Sequence, residues 1–233
     1  MKLSIIIPCY KEEKDIAKNV AITLTYLKEN KIDAEVICVN DGSPDKTGEI
    51  LSQLDGIKAI GYETNRGKGG AVKYGIEHAS GDYILFMDAD LSTKLDAIQE
   101  VLANVGKYDM IIGSRHYKDS KIPIRQPWLR RFMGHVCRKV VNRKFKLNLN
   151  DTQCGFKAIR LDCAKKIIAK QKVNDFAFDV EYIYIAKLLN MSMTEIPVTW
   201  EDDRGSTVSP IKSSLRFFKD LKVIKKNTKF YLE

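Results

Sequence analysis

Short apolar runs alternate with helical patterns through the first half of this 233-residue chain, and that alternation limits its fold more than any other feature. Residues 3–7 are apolar and rich in β-branched side chains. Ile16, Val20, Thr23 with Leu24, and Leu27 then recur at helical spacing across 15–29. Further runs at 34–39, 57–62, 83–87 and 110–112 have strand length, and 47–54, 69–79 and 95–105 read as helices between them. Strands separated by helices are joined by crossovers. The pattern therefore predicts an α/β fold, a single Rossmann-like and mostly parallel sheet flanked by helices. Such sheets bind ligands beyond the carboxyl ends of their strands, so the loops after the strands should carry the chemistry.

Those loops are rich in acids, glycines and lysine: Pro8-Cys9-Tyr10-Lys11-Glu12, Asn40-Asp41-Gly42-Ser43-Pro44-Asp45, Asn65-Arg66-Gly67-Lys68-Gly69-Gly70 and Asp88-Ala89-Asp90. Each alone is ordinary turn chemistry; four in succession on one side are not. Residues i and i+2 of extended chain point the same way, so Asp88 and Asp90 put two carboxylates together at a strand end. A hard divalent cation, Mg²⁺ or Mn²⁺, neutralises such a pair and shares its oxygen ligands with phosphates. The alternative role for this turn is a helix start capped by Ser92 or Thr93. Lys68 among glycines at a helix start suits an anion. The loop is neither GxGxxG nor GxxxxGK[ST], which argues against a kinase or ATPase.

The second half differs in charge. The chain has 39 Lys and Arg against 30 Asp and Glu, a net +9. Residues 114–146 hold eleven of the cations and one acid, an excess of +10, so the rest sums to −1. Within it, 128–145 is helical, with Leu129, Phe132, Met133, Val136 and Val140 in one apolar stripe and Arg130, Arg131 and Arg138 on another side. Helices are expected at 161–170 and 178–189 and a strand at 193–200. A basic helix should open at Pro210 with Ile211, Leu215, Phe218 and Leu221 inward. These features divide one domain, 1–233, into an α/β first half (1–113), a second half that opens on the basic segment (114–209) and a C-terminal basic helix (210–233). No apolar run approaches the ~20 residues of a membrane span, and the N-terminus shows no secretory signal. Five widely spaced cysteines without a CxxC pair point to a reducing cytoplasm.

The loop motifs resemble family-2 inverting glycosyltransferases of the GT-A fold, more narrowly the dolichyl-phosphate β-glucosyltransferases and their prokaryotic polyprenyl-phosphate relatives. Gly113-Ser114-Arg115, Asp151-Thr152-Gln153-Cys154-Gly155-Phe156-Lys157, Phe178-Asp179-Val180-Glu181 and Val198-Thr199-Trp200 continue the likeness. The resemblance implies that Pro8, Tyr10, Glu12 and Asp41 line a nucleoside pocket, with Asn40 where many relatives have a second Asp. Lys68, Asp88 and Ala89 would lie between nucleoside and sugar, and Asp90 with Asp88 would hold the metal on the diphosphate. Arg204 resembles the arginine that some relatives place in a mobile loop over the diphosphate. The Ser92-Thr93 pair and the glycines around Lys68 match the glucosyl branch, hence a UDP-hexose rather than GDP-mannose.

A polyprenyl phosphate gives the basic segment a purpose, because Arg forks bind phosphate oxygens in pairs. Arg115, Arg130 and Arg131 are the candidates, with Arg138 beside them. The charge excess would also draw the domain to the inner face of a membrane as a peripheral protein; no nucleic-acid-binding motif accompanies it. The expected reaction is one displacement at the anomeric carbon, with inversion. Asp151, Asp179 and Glu181 are the acids available if a hydroxyl acceptor needs a base. Asp179 and Glu181 are two apart in a helix and should not share a face. Transfer to a sugar or protein hydroxyl, a nucleotidyltransferase, and a non-catalytic nucleotide-sugar binder are the competing readings.

Overall fold

The strand-length runs form one sheet in the computed structural model, which describes residues 1–124, 128–202 and 210–233, without the side chains of 129, 130 and 210–214. The chain runs β1 (Leu3–Cys9), α1 (Ile16–Glu29), β2 (Ala34–Asp41), α2 (Thr47–Ser52), β3 (Lys58–Tyr62), α3 (Lys68–Glu77), β4 (Tyr83–Phe86), α4 (Ala97–Asn104) and β5 (Met110–Ser114). It continues as α5 (Trp128–Phe145), β6 (Lys157–Arg160), α6 (Leu161–Lys170), α7 (Phe178–Leu188), β7 (Met193–Pro197), α8 (Pro210–Lys226) and α9 (Thr228–Leu232). Strand order is β3-β2-β1-β4-β6-β5-β7. β1 is parallel to β2 and β4, β2 to β3, and β5 to β7; β6 runs antiparallel, between β4 and β5. The α/β, mostly parallel architecture is thus as expected.

Side chains on the two faces feed two cores, as the period of two demands. Leu3, Ile5 and Ile7 pack with α1 and α4, while Ile6 packs with α3, α6 and α7. Each fully buried isoleucine contributes about 1.5–3 kcal/mol. The loops after β1, β2 and β4 therefore emerge together at one edge of a rigid platform.

Four expectations need correction. β6 has no counterpart in the sequence reading, because it is four residues long and opens on a lysine. Neither Ser92 nor Thr93 caps a helix: α4 starts at Ala97 after Asp96, the Ser92 N–H donates to Asp90 Oδ1 at 2.8 Å, and Thr93 bridges to Trp200. The strand expected over 193–200 ends at Pro197, and the chain beyond it pairs Thr199 with Lys121 and Trp200 with Thr93 instead. Leu215 is 69% exposed, not inward; α8 buries Phe217, Leu221 and Ile224, at i, i+4 and i+7, and Leu215 falls off that stripe. Ile211 lies outside the described side chains.

α5 has the expected bounds. Val141 and Phe145 enter the core, but Trp128 is 76% and Phe132 61% exposed, with Val136 and Val140 exposed behind them. Among the described residues no helix is long and apolar enough to cross a membrane.

Candidate active site

Asp88-Ala89-Asp90 leaves β4 beside the start of α3, and there the Lys68 ammonium ion-pairs with the Asp88 carboxylate. Gly67 makes that approach possible: its φ of +87° is left-handed backbone, where a side chain is strained. Gly155 is equally constrained, because a Cβ built on it would overlap the Asp88 carboxylate. Asp90 faces solvent, yet the protein packed around it and the neighbouring charge of Asp88 push its carboxyl above the ordinary range. Two like charges at one strand tip, one already on a lysine, suit an added cation. Mg²⁺ takes one or two protein carboxylates and completes its shell from phosphates and water. Among the described residues no three metal-ligating side chains cluster, so a cation here would draw its other ligands from substrate.

Lys68 sits between two acids. Burial alone would lower its pKa, but Asp88 and Asp179 push it up to about 12. Asp179 stands in the first turn of α7 and its Oδ1 accepts from Lys157 Nζ at 2.6 Å. Burial raises the Asp179 carboxyl against the pull of Lys157 and Lys68. Lys157 is 0% exposed and also donates to the Cys154 carbonyl. Glu181 turns away, as its spacing from Asp179 implies. It accepts from the N–H groups of Lys172 (2.8 Å) and Val173 (2.9 Å) and from the Tyr231 hydroxyl.

The nucleoside candidates line the ends of β1 and β2. Pro8 is the next-to-last residue of β1, Tyr10 is exposed with Lys11 Nζ 5.3 Å from its ring, and the Glu12 N–H donates to Thr47 Oγ1 at 2.8 Å. Asp41 is buried and organises the next loop: its carboxylate accepts from Tyr62 Oη (2.6 Å), Asn65 Nδ2 (2.9 Å) and the Arg66 N–H (2.8 Å). Burial and that carboxylate push the Tyr62 phenol well up. The carbonyl of buried Ala89 accepts from Asn19 Nδ2 at 2.9 Å, which ties the acidic turn to α1.

On the other side, Arg115 and Asp151 are paired. Arg115 Nε and Nη2 donate to the two carboxylate oxygens at 2.7 and 3.0 Å, and its N–H adds a third bond at 3.1 Å. The guanidinium carbon lies 5.4 Å from the Trp200 ring. Burial would raise the Asp151 carboxyl, but Arg115 holds it far below the usual range. Arg131 is exposed on α5, and Arg138 Nη1 donates to the Asn150 carbonyl at 3.2 Å. The Arg130 side chain and all of Arg204 lie outside the described residues. Two features escaped sequence reasoning, the Arg115–Asp151 fork and the buried Lys157. The first is invisible because 36 residues separate its partners; the second had one signal, a lysine inside an otherwise apolar run.

Residues 4–168 match the family model for Glycosyl transferase family 2. A dolichyl-phosphate beta-glucosyltransferase of Dictyostelium discoideum is 31% identical over 236 residues, 94% of this chain and 72% of that protein. Its Drosophila melanogaster counterpart is 33% identical over 96% of this chain and 74% of its own. Among solved structures, glucosyl-3-phosphoglycerate synthase from Mycobacterium tuberculosis, in complex with Mn²⁺ and UDP-glucose, superimposes with a TM-score of 0.68 at 13% identity, covering 96% of this chain and 78% of that one. S. aureus TarS with UDP-GlcNAc gives 0.59 at 19% identity, over 100% and 70%. At such identities the likeness is one of fold.

Proposed function

Because the chain belongs to glycosyl transferase family 2, and so moves a sugar from a nucleotide-sugar donor, we propose that it transfers glucose from UDP-glucose to the phosphate of a polyprenol at a membrane surface. The relatives named for dolichyl-phosphate glucosylation support the donor and the acceptor class. One observation of this chain carries the acceptor: a basic helix, α5, that turns Trp128, Phe132, Val136 and Val140 outward. An apolar row among cations suits the headgroup boundary of an anionic bilayer. That would make the protein peripheral, with Arg115, Arg130 and Arg131 on the side where the lipid phosphate arrives.

The site's own charges fit a single displacement. Lys68, fixed beside Asp88, meets the negative charge that grows on the departing diphosphate. A divalent cation held by Asp88 and Asp90 would supply further neutralisation of that charge. Nucleophilic attack opposite the leaving group turns an α-linked donor into a β-linked product. The three candidate bases are all engaged: Asp151 by Arg115, Asp179 by Lys157, and Glu181 by two backbone N–H groups and a phenol. A phosphate monoester is already anionic near neutral pH and needs none of them, whereas a sugar hydroxyl does. The proposal is that Asp151 and Asp179 hold cations and Arg204 closes on the diphosphate.

The test is a screen of UDP-glucose and GDP-mannose with Mg²⁺ or Mn²⁺ against a short-chain polyprenyl phosphate, the free polyprenol and soluble sugars. β-Glucosyl phosphoryl polyprenol from UDP-glucose is the expected product. Turnover on a hydroxyl acceptor without lipid phosphate would overturn the acceptor. Pyrophosphate released from UTP and a sugar phosphate would identify a nucleotidyltransferase instead.

A further inference from the structure

Lys157 occupies a place where an apolar side chain would serve stability as well. The alternation of β6 puts it on the face of Ile159, toward α7, with its ammonium 5.6 Å from the Phe86 ring and no exposure to water. Taking two charges out of water carries a penalty of several kcal/mol per ion, and well-packed apolar replacements of a buried pair are commonly neutral or stabilising. Stability therefore does not explain the Lys157–Asp179 pair. Its position does. The first turns of α3 and α7 touch, with Gly69 packed directly against Phe178, so the Asp179 charge acts on Lys68 as well, and Lys68 is paired with Asp88. Charges alternate from the core to the strand tip in the order Lys157, Asp179, Lys68, Asp88.

We propose that Lys157 is a positioning residue: by holding Asp179 from below, it keeps the Lys68 ammonium on Asp88, where the diphosphate of the donor is met. This rests on the donor reading given above. Without Lys157 nothing fixes the Asp179 carboxylate, and without that carboxylate Lys68 loses one of the two acids that hold it, so in either case its ammonium is no longer fixed on Asp88. The acid is thereby an anchor for Lys68 and not a base, which agrees with an acceptor that arrives already deprotonated.

The experiment compares Lys157→Met, Asp179→Asn and the double variant with wild type. Unfolding temperature, UDP affinity measured by calorimetry in EDTA, and kcat and KM for UDP-glucose are read on each. Lys157→Met and Asp179→Asn each leave a buried charge unpaired and should lower the unfolding temperature; the double variant leaves neither and should recover it. Metal-free UDP affinity should fall ~10-fold in Lys157→Met, the order of one charge-assisted hydrogen bond, with kcat falling more than KM changes. In the double variant kcat should stay ~10-fold or more below wild type although stability has returned. If kcat and UDP affinity return together with stability, the pair is a folding element and the inference is wrong. Wild-type protein that neither binds UDP nor consumes UDP-glucose would remove the donor reading and this inference with it. A competent wild type beside an indistinguishable double variant would remove this inference alone.

Discussion

The tip of the sheet and the outer face of α5 are built on opposite plans. At the tip, acids are held by neighbours before any ligand arrives: Asp41 by Tyr62, Asn65 and Arg66, and Asp88 by Lys68. On α5, Trp128 and Phe132 face outward beside exposed Arg131. The first arrangement is pre-organised, which on the proposed reading lets charge developing in a transition state meet dipoles and ions already in place. The second gains nothing until another surface covers it. On the proposed reading, a substitution at the tip should therefore change the rate of sugar transfer and leave membrane binding alone, and one in the apolar row of α5 should do the reverse.

Asp90→Ala gives the strongest test of that division. Transfer should fall by ~10²–10³-fold, the scale of losing one pre-organised electrostatic contact, while binding to anionic vesicles stays at the wild-type level. Initial rates and vesicle sedimentation measure the two. A rate near wild type would show that the tip is not where charge develops.

Asp151→Asn tests whether the second half of the chain contains a held element of its own. The Asp151 carboxyl is depressed in the fold by Arg115. Its contribution to stability is thus present above the ordinary aspartate pKa of about 4 and is lost as pH falls below it. At pH 7 the variant should lose about 3 kcal/mol, as when one partner of a buried pair is removed. In urea unfolding the gap to wild type should narrow as pH falls below about 4. A gap that stays constant with pH would mean that the Arg115 fork does not depend on the Asp151 charge.

What the sequence revealed and what it hid divide along the same line. The parallel strands were legible because β1, β2 and β4 are local apolar runs bounded by turn residues. The acidic turn was legible because Asp88 and Asp90 are two apart. The β6 strand was not, since Lys157 breaks its apolar pattern and its antiparallel partners lie far off in the chain. Nor was the outward face of α5. Trp128, Phe132, Val136 and Val140 are apolar at helical spacing, and spacing tells which residues share a face but not whether that face meets a core. Leu215 teaches the same in α8, where Phe217, Leu221 and Ile224 took the inward position. For the site, local motifs placed Lys68 beside the acids, while the pairings Arg115–Asp151 and Lys157–Asp179 required the fold.

Replacing Trp128 and Phe132 together by Ser should weaken binding to anionic vesicles by ~10- to 100-fold, given about 1.5–3 kcal/mol for each large apolar side chain that is fully buried and less for partial insertion. Metal-free UDP affinity should not change. Vesicle sedimentation and calorimetry read the two. Unchanged vesicle binding would mean that the apolar row serves a protein partner or a second copy of the chain.

Arg131→Ala should have the smallest effect and draws the finest distinction. A cation near an anionic surface contributes about 1 kcal/mol, a factor of about five. If Arg131 serves the bilayer in general, vesicle affinity should drop by that factor, in proportion to the fraction of anionic lipid, and KM for the polyprenyl phosphate in detergent should stay put. If it binds the acceptor phosphate, the order reverses: KM for the acceptor rises about fivefold in detergent with kcat and UDP affinity unchanged. The exposed position of Arg131 beside Phe132 favours the acceptor only if the phosphate reaches down to the level of the apolar row, as a headgroup at the bilayer boundary does. The expected outcome is therefore the rise in acceptor KM, measured in detergent with anionic lipid left out. Equal weakening of UDP binding would place this arginine on the donor side and erase the contrast between the two regions.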